Sequence, residues 1–209
     1  MLEEEYEPRR RLPRHLRPEI ATESAFEYTM REVRATDLPH IREIYNYYVA
    51  NSTVTFDEDA MTLTEWRDKF YYLNKQGMPF VVAVSPAGQI LGYALVSPWK
   101  QKKAYRFTVE DSVYVAPEAH GRGVGKALLS QVLAACEGLG LRQMMAVIGD
   151  SGNSGSIGLH TSLGFEPAGV CRSVGFKHGR WVDTVWMQKP LNGGDTSPPA
   201  AEGLALTGH

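Results

Sequence analysis

The apolar positions at the start of the chain predict a strand followed by two helices. Residues 29–33 suit a short first strand. After Thr36 or Asp37, which are favourable helix caps, apolar side chains recur at the spacing of an amphipathic helix. A second pattern of this kind follows Thr62 or Thr64. The chain therefore begins as β-α-α.

Three strands are predicted next. Residues 80–84 and 90–96 are apolar runs on either side of a Ser-Pro-Ala-Gly turn, which indicates a β-hairpin. Residues 107–115 alternate between apolar and polar side chains, and Pro117 ends this strand because proline cannot donate to a sheet.

The remaining pattern mixes helices and strands. Residues 124–139 predict an amphipathic helix, residues 143–148 a buried strand and residues 153–163 a short helix. Residues 169–174 and 181–188 predict two last strands. The order β-α-α-β-β-β-α-β-α-β-β is that of an α/β chain with a mixed sheet of six to seven strands and about four helices.

The two ends of the chain differ from this pattern. Residues 1–28 are rich in Glu, Arg and Pro, and residues 192–209 are poor in large apolar side chains. Both segments are predicted to be disordered tails, so the folded domain is expected over residues 29–191. Prolines interrupt the arginine cluster of the first segment, which favours a solvated tail over an RNA-binding arm.

Composition excludes several classes of protein. The net charge of -2 argues against a nucleic-acid binder. No apolar run approaches the ~20 residues that span a bilayer, and the charged start does not resemble a secretory signal. Cys136 and Cys171 have no nearby partner at metal-ligand spacing, so neither a disulfide framework nor a metal site is predicted. We expect a cytoplasmic protein without membrane contact.

The most specific motif is a glycine-rich turn between a predicted strand and a predicted helix. It reads His120, Gly121, Arg122, Gly123, Val124, Gly125 and Lys126. Glycines let the main chain approach a ligand, and the helix N-terminus favours phosphate oxygens. Neither the Walker A pattern nor the dinucleotide fingerprint fits, because His120, Lys126, Ala127 and Leu128 stand where those patterns need other residues.

The stretch from Val113 to Gly125 resembles the coenzyme A loop of the GNAT acetyltransferase superfamily, which reads Gln/Arg-x-x-Gly-x-Gly/Ala. His120 stands at the first position and departs from that motif. Residues 108–115, 146–149, 159–165 and 175–181 are similar to the phosphinothricin acetyltransferase branch. The resemblance covers about residues 30–190 and implies a GNAT fold, acetyl-CoA as cosubstrate and a homodimer.

The resemblance also implies catalytic groups. Glu110, on the strand before the loop, stands where the family has its catalytic carboxylate and is the predicted general base, acting directly or through water. The alternative is that Glu110 only pairs with Arg106 or a lysine. His160 is the predicted general acid for the leaving thiolate. Asn153 and Ser156 are expected to share its helix face, with Asn153 binding the pantetheine amides.

The other predicted contacts are less specific. A main-chain N–H of Val113, Tyr114 or Val115 is the expected oxyanion donor, and these residues together with the loop should bind the cofactor. Arg106 and Tyr105 are candidates for binding a substrate carboxylate or phosphinate, since arginine offers two parallel hydrogen bonds. Phe56 and Trp99 are candidate walls of the substrate pocket.

These inferences predict an enzyme that acetylates the amine of a small amino-acid-like molecule, such as phosphinothricin, methionine sulfone or methionine sulfoximine. Two alternatives stay open. One is an acetyltransferase for a polyamine, an aminoglycoside or a protein N-terminus, and the acidic run at residues 57–59 keeps the polyamine in view. The other is a non-catalytic acetyl-CoA-binding module, against which the presence of both Glu110 and His160 argues.

Overall fold

The computed structural model describes residues 26–206. The predicted N-terminal tail lies almost entirely outside the described residues. The helices and strands follow one another in the predicted order: β1 Thr29–Glu32, α1 Leu38–Asn51, α2 Leu63–Lys75, β2 Phe80–Val84, β3 Ile90–Pro98, β4 Thr108–Val115, α3 Val124–Gly138, β5 Gln143–Gly149, α4 Ser154–Ser162, β6 Glu166–Lys177 and β7 Arg180–Pro190. None of the helices within residues 26–206 is long and apolar enough to cross a bilayer.

All seven strands form a single mixed sheet in the order β1-β2-β3-β4-β5-β7-β6. The β4–β5 pair is parallel and the other pairs are antiparallel. The predicted α/β class with a mixed sheet is therefore confirmed. Helices cover both faces near β3, because Leu128 of α3 approaches Gly92 while Trp66 of α2 packs on the neighbouring residue Tyr93.

Helix α2 begins where its sequence predicts a cap. The hydroxyl of Thr62 accepts a hydrogen bond from the main-chain N–H of Glu65, whose carboxylate accepts one from the N–H of Thr62. The cap brings the apolar face of α2 onto the sheet, where Trp66 is buried with its ring 5.6 Å from both Tyr45 and Tyr93. These aromatic contacts fix α1 and α2 on one face of the sheet.

Strands β4 and β5 separate along their length. They pair only from Thr108–Gln143 to Asp111–Ala146, although each strand continues beyond that point. Residues 112–115 therefore pair with β3 alone, and residues 147–149 pair with β7 alone. The gap between the two strands forms the floor of the cleft described below.

The last two strands are longer than the apolar pattern predicts. They span 166–177 and 180–190, where the sequence predicts 169–174 and 181–188. His178 and Gly179 connect them with positive φ angles of 51° and 73°, the conformation of a two-residue type I′ turn. The extension was missed because much of β6 is exposed on both faces and so lacks the alternation that marks a half-buried strand.

Residues 192–206, where the sequence predicts a disordered C-terminal tail, contact the domain at several points. Arg142 donates hydrogen bonds to the carbonyl oxygens of Gly194 at 2.7 Å and Ser197 at 2.8 Å. The N–H of Leu204 donates to the carbonyl oxygen of Arg106 at 2.8 Å, and Leu206 is buried. This segment, although poor in large apolar side chains, is held by main-chain carbonyl groups that composition does not reveal.

Candidate active site

A cleft of about 840 Å³ opens where β4 and β5 separate. Its walls come from the C-terminal halves of both strands, the glycine-rich loop, the start of α3, one face of α4 and the loop between α1 and α2. The glycine-rich loop lies at one end, and Thr55, Phe56 and Glu110 also line the cleft. This arrangement brings the strongest sequence motif and the predicted base into one cavity.

The glycine-rich loop is shaped for an anionic ligand. Gly121 and Gly123 have φ angles of +71° and +78°, and a Cβ at either position would meet nothing within 4 Å. Gly123 is the N-cap of α3, so N–H groups of the first helical turn lack intrahelical acceptors. Gly121, Gly123, Val124, Gly125 and Lys126 line the cleft. These main-chain groups and the Lys126 ammonium fit a diphosphate.

Two side chains of the loop have other contacts. The guanidinium of Arg122 lies 5.5 Å from the ring centre of Phe26 and outside the cleft lining. His120 lines the cleft, but its Nε2 lies 2.7 Å from the Tyr48 hydroxyl and 3.2 Å from the Val115 carbonyl oxygen. Tyr48 itself donates to that carbonyl. The unusual His120 therefore ties the loop to α1 and to the end of β4.

The separated strands present main-chain groups to the cleft. Main-chain hydrogen bonds join Trp99 to Thr108 and Ala116 to Leu91 across β3 and β4. The main-chain N–H and C=O groups at even positions from 108 to 116 therefore point towards β3. The N–H groups of Val113 and Val115 then face the gap where β5 has diverged. Just after β5, the N–H of Asp150 donates to the carbonyl oxygen of Asp183 in β7, so the main-chain groups at even positions of β5 point towards β7. The main-chain groups of Val147 and Gly149 therefore face the same gap as those of Val113 and Val115.

Glu110 lies in the cleft wall, one residue before the pairing between β4 and β5 ends at Asp111. Burial raises the pKa of its carboxyl, and the adjacent Asp111 raises it further, whereas Lys100 and Lys69 oppose the rise. The ion pairs among the described residues do not include Glu110, so its predicted alternative as a simple ion-pair partner finds no counterpart there. A carboxylate of this kind is suited to accept a proton.

His160 also lines the cleft, but its ring nitrogens do not point freely into it. Nε2 lies 3.0 Å from Oδ2 of Asp111, and Nδ1 lies 2.7 Å from the carbonyl oxygen of Ser156. The sequence predicts a ring that faces the cofactor sulfur, and in the structure the ring also has the buried Asp111 carboxylate as its partner. Burial lowers the pKa of His160, but the hydrogen bond and charge of Asp111 and the contact with the Ser156 carbonyl together outweigh it and leave the pKa raised.

Asn153, Ser156 and His160 all line the cleft, as their predicted common face requires. Asn153 is the N-cap of α4, and its side-chain oxygen accepts the N–H of Ser156 at 3.1 Å. The amide nitrogen of Asn153 takes no part in this cap bond. The helix cap and the predicted pantetheine contact are compatible uses of the same side chain.

The predicted substrate residues divide into two groups. Phe56 lines the cleft. Trp99, Tyr105 and Arg106 lie outside its lining: Trp99 packs edge-on against Trp186 at 5.7 Å, Tyr105 is exposed, and Arg106 donates to the carbonyl oxygen of Lys103. Their roles in substrate binding stay predictions that the position of these side chains does not support.

Several site residues were not predicted. Lys69 and Lys100 exert their charge on Glu110 from α2 and from the loop after β3. Asp111 and Tyr48 hold catalytic-site elements through the contacts described above. An acidic residue at an inward position of a buried strand is a signal that sequence alone offered for Asp111, whereas Lys69 and Lys100 become visible only when the sheet is assembled. Among the described residues, no three metal-ligating side chains come together.

Residues 41–165 match the Acetyltransferase (GNAT) family. The chain is 50% identical to the phosphinothricin N-acetyltransferase of Alcaligenes faecalis over 171 residues, which are 82% of this chain and 86% of the relative. It is 40% identical to an L-methionine sulfoximine/L-methionine sulfone acetyltransferase of Pseudomonas aeruginosa, over 81% of this chain and 98% of the relative.

A solved structure of similar fold agrees with these sequence matches. It is a GNAT superfamily phosphinothricin acetyltransferase from Sinorhizobium meliloti in complex with acetyl-CoA. The TM-score is 0.81 at 45% identity, with 85% of this chain and 95% of that chain covered. The glycine-rich loop, the diverging strands and these relatives together show that the chain belongs to the GNAT family of N-acetyltransferases.

Proposed function

We propose that this enzyme transfers the acetyl group of acetyl-CoA to the amine of a small amino-acid-like substrate such as phosphinothricin, methionine sulfone or methionine sulfoximine. The observation that carries the proposal is a single cleft lined both by the glycine-rich loop, which suits a diphosphate, and by Glu110, whose carboxyl has a raised pKa. The names of the relatives support the substrate class.

The cleft has groups suited to each part of acetyl-CoA. The N–H groups from Gly121 to Lys126 would hold the diphosphate, and the main-chain groups of β4 and β5 that face the gap would hold the pantetheine arm. Asn153 would add a side-chain amide to that arm. When bound, acetyl-CoA supplies the thioester that is cleaved. The orientation of the thioester then follows from the separated strands rather than from a covalent link to the protein.

Glu110 is the proposed general base. An ammonium has no lone pair, so the substrate amine must lose a proton before its nitrogen attacks the thioester carbon. A carboxyl with a raised pKa holds that proton better than an ordinary glutamate. The C–N bond forms, the C–S bond breaks, and the thiolate takes up a proton. The N–H groups of Val113 and Val115 face the gap in which the oxyanion would develop.

His160 is the proposed proton source for the thiolate. Its contact with Asp111 favours the protonated ring, which a donor requires. Because both ring nitrogens contact protein acceptors, proton delivery needs a swing of the ring or a relay through Asp111. Among the described residues, Oδ1 of this carboxylate is buried without a hydrogen-bond partner.

The charges around Glu110 bear on the class of substrate. Lys100 and Lys69 act electrostatically on the Glu110 carboxyl from outside the cleft lining, whereas Arg106 is turned towards the Lys103 carbonyl. Cations that neutralise an acidic substrate suit an amino acid better than a polyamine, which would be repelled. The positive charge around Glu110 therefore argues against a polyamine as the substrate. The alternative of a non-catalytic binding module conflicts with the buried carboxyl placed beside the cofactor site.

Homodimer formation and a cytoplasmic location also belong to this proposal. The β6–β7 hairpin exposes a set of large apolar side chains, namely Val170, Val174, Phe176 and Trp181. Such a patch favours association of subunits. Sedimentation at several protein concentrations tests the dimer. Cys136 and Cys171 are free thiols, a state typical of the reducing cytoplasm.

The deciding experiment is a thiol-release assay with acetyl-CoA over a panel of amines. Phosphinothricin, methionine sulfone and methionine sulfoximine are expected to release thiol efficiently, in contrast to polyamines, aminoglycosides and peptide N-termini. Calorimetry with acetyl-CoA is run beside it. Binding without thiol release on any amine would support the non-catalytic module, and preference for a polyamine would overturn the proposed substrate class.

A further inference from the structure

The signature at Gly175–Trp181 takes no part in the transfer chemistry proposed above, yet three of its residues contact one segment of the cleft wall. That segment is Thr53–Asp57, between α1 and α2, called the wall segment below. Its residues Val54, Thr55 and Phe56 line the cleft. The wall segment has no helix or strand of its own, so its position depends on the contacts that hold it.

Lys177 provides the first contact. Its side chain is buried, with 3% of the residue exposed, and its Nζ donates a hydrogen bond of 2.8 Å to the carbonyl oxygen of Thr55. A buried ammonium is costly unless it is hydrogen-bonded. The acidic residues Asp57 and Glu58 add favourable charge. Lys177 is therefore held where it can fix the main chain next to Phe56.

Arg180 provides the second contact from the other side of the hairpin turn. It donates to the Thr53 hydroxyl at 3.1 Å and to the Asp150 carboxylate, and the Thr53 hydroxyl donates to Asp150 at 2.8 Å. The main chain of β5 also lies close to Thr53, because a Cβ on Gly149 would lie 2.5 Å from the Thr53 carbonyl oxygen. The start of the wall segment is fixed between β5 and the hairpin.

Gly175 provides the third contact and acts on Phe56 itself. A Cβ on Gly175 would lie 2.4 Å from Cε2 and 2.7 Å from Cδ2 of the Phe56 ring. Real atoms cannot approach so closely, and the ring occupies the space because residue 175 has no side chain. Gly175 is not among the residues with positive φ, so alanine fits its backbone. The three atoms nearest to this Cβ all belong to the Phe56 ring, so the conflict created by a methyl group falls first on Phe56.

We propose that Gly175 is a specificity-determining residue that acts through Phe56, and that Lys177 is a positioning residue for the same ring. The β6–β7 hairpin sets how far the Phe56 ring reaches into the cleft, on the side where the substrate is proposed to bind. A larger residue at position 175 moves the ring away from β6 and into the cleft, which shortens the space for the substrate side chain. This inference rests on the proposed function for its substrate class.

The test measures selectivity in Gly175→Ala. The ratio of kcat/KM for methionine sulfone to that for alanine is expected to fall about tenfold, the scale on which a pocket responds to a methyl-sized change. The affinity for acetyl-CoA should not change, because the glycine-rich loop is untouched. In Phe56→Ala the added methyl has no ring to displace, so Phe56→Ala and Phe56→Ala/Gly175→Ala should show the same ratio.

Gly138→Ala is the matched control, since a Cβ there meets nothing within 4 Å and the position lies at the end of α3. Its selectivity should equal that of the unmodified protein. Lys177→Met keeps the bulk but removes the donor to Thr55, and is expected to move the ratio towards one. Loss of stability in this variant with an unchanged ratio would restrict Lys177 to folding and remove it from the proposal.

A crystal structure of Gly175→Ala gives a readout that does not depend on activity. A displaced Phe56 ring supports the inference, and a ring in its original place overturns it. An unmodified protein that releases thiol on no amine contradicts the proposed function, whereas an active protein with equal ratios in Gly175→Ala and Gly138→Ala contradicts only this inference.

Discussion

The two ends of the cleft are built from different parts of the chain. At the loop end, the groups that face the ligand are main-chain amides of Gly121–Lys126 and of the diverging strands, and glycines hold them in place. At the proposed substrate end, Glu110 and Phe56 are side chains from separate elements. The comparison indicates that the first end depends on backbone conformation, whereas the second depends on individual side chains.

Removal of the base should have the largest effect and separates the two ends. In Glu110→Gln, turnover is expected to fall by about 10²- to 10⁴-fold, the usual contribution of a general base. The Kd of acetyl-CoA should hardly change, because Glu110 belongs to the substrate end. Steady-state kinetics and calorimetry measure the two quantities. Unchanged turnover at neutral pH would place the base elsewhere.

Loss of the buried pair of Asp111 and His160 should have the next largest effect, on stability. Asp111→Asn breaks the contact with His160, whose side chain is 5% exposed, and should cost about 3 kcal/mol of unfolding free energy near pH 6. Because the pKa of His160 is raised in the folded protein, this stabilisation is complete below its unfolded value of ~6.5 and is lost as pH rises through the folded value.

Urea titrations of both proteins at several pH values measure this effect, and the difference between them should shrink towards alkaline pH. Glu43→Gln is the control, since it removes the acidic partner of the exposed His40 and should change stability by less than about 1 kcal/mol. A difference that does not vary with pH would argue against the ionised pair.

A change at the loop end should give the reverse of the Glu110 result. Gly123→Val forces a β-branched side chain into a φ of +78°, and the distorted loop should weaken acetyl-CoA binding about tenfold. Gly88→Val creates the same strain at a φ of +84° in the β2–β3 turn. Both variants should lose stability, but the control should bind acetyl-CoA normally. Equal affinity in the two variants would exclude the loop from the site.

The smallest effect is expected from the charge around the base. Lys100 lowers the pKa of Glu110, so Lys100→Gln should raise it and move the acidic limb of the kcat/KM profile to higher pH. The exposed Lys102 offers a matched control, because its charge does not act on Glu110. A profile that shifts equally in Lys100→Gln and Lys102→Gln would point to general surface charge instead.

The contrast between the two ends also explains what the sequence could predict. The order of the elements and the loop at Gly121–Lys126 were predictable, because helical spacing and glycine-rich turns are local patterns. The separation of β4 from β5 was not, since it depends on pairing between residues 35 positions apart, such as Thr108 with Gln143. The contact of His160 with Asp111 was not predictable for the same reason, as Asp111 lies on β4, 49 positions away in the sequence.

The substrate residues show the limit most clearly. Residue type favours Arg106, because arginine suits a carboxylate, but Arg106 lies outside the cleft in a loop whose main chain pairs with Leu204. Lys69 and Lys100 carry the same charge without any motif that marks them. Residue type alone predicts the chemistry that a site needs, and long-range packing decides which of several suitable residues provides it.

The attachment of residues 192–206 to the domain has a practical consequence for truncated forms of the protein. Deletion after Leu191 would leave the Arg142 guanidinium without the Gly194 and Ser197 carbonyls and would uncover the Phe107 ring, which Gly203 contacts. A protein that ends at Leu191 is therefore expected to precipitate more readily, and affinity tags are better joined beyond Leu206.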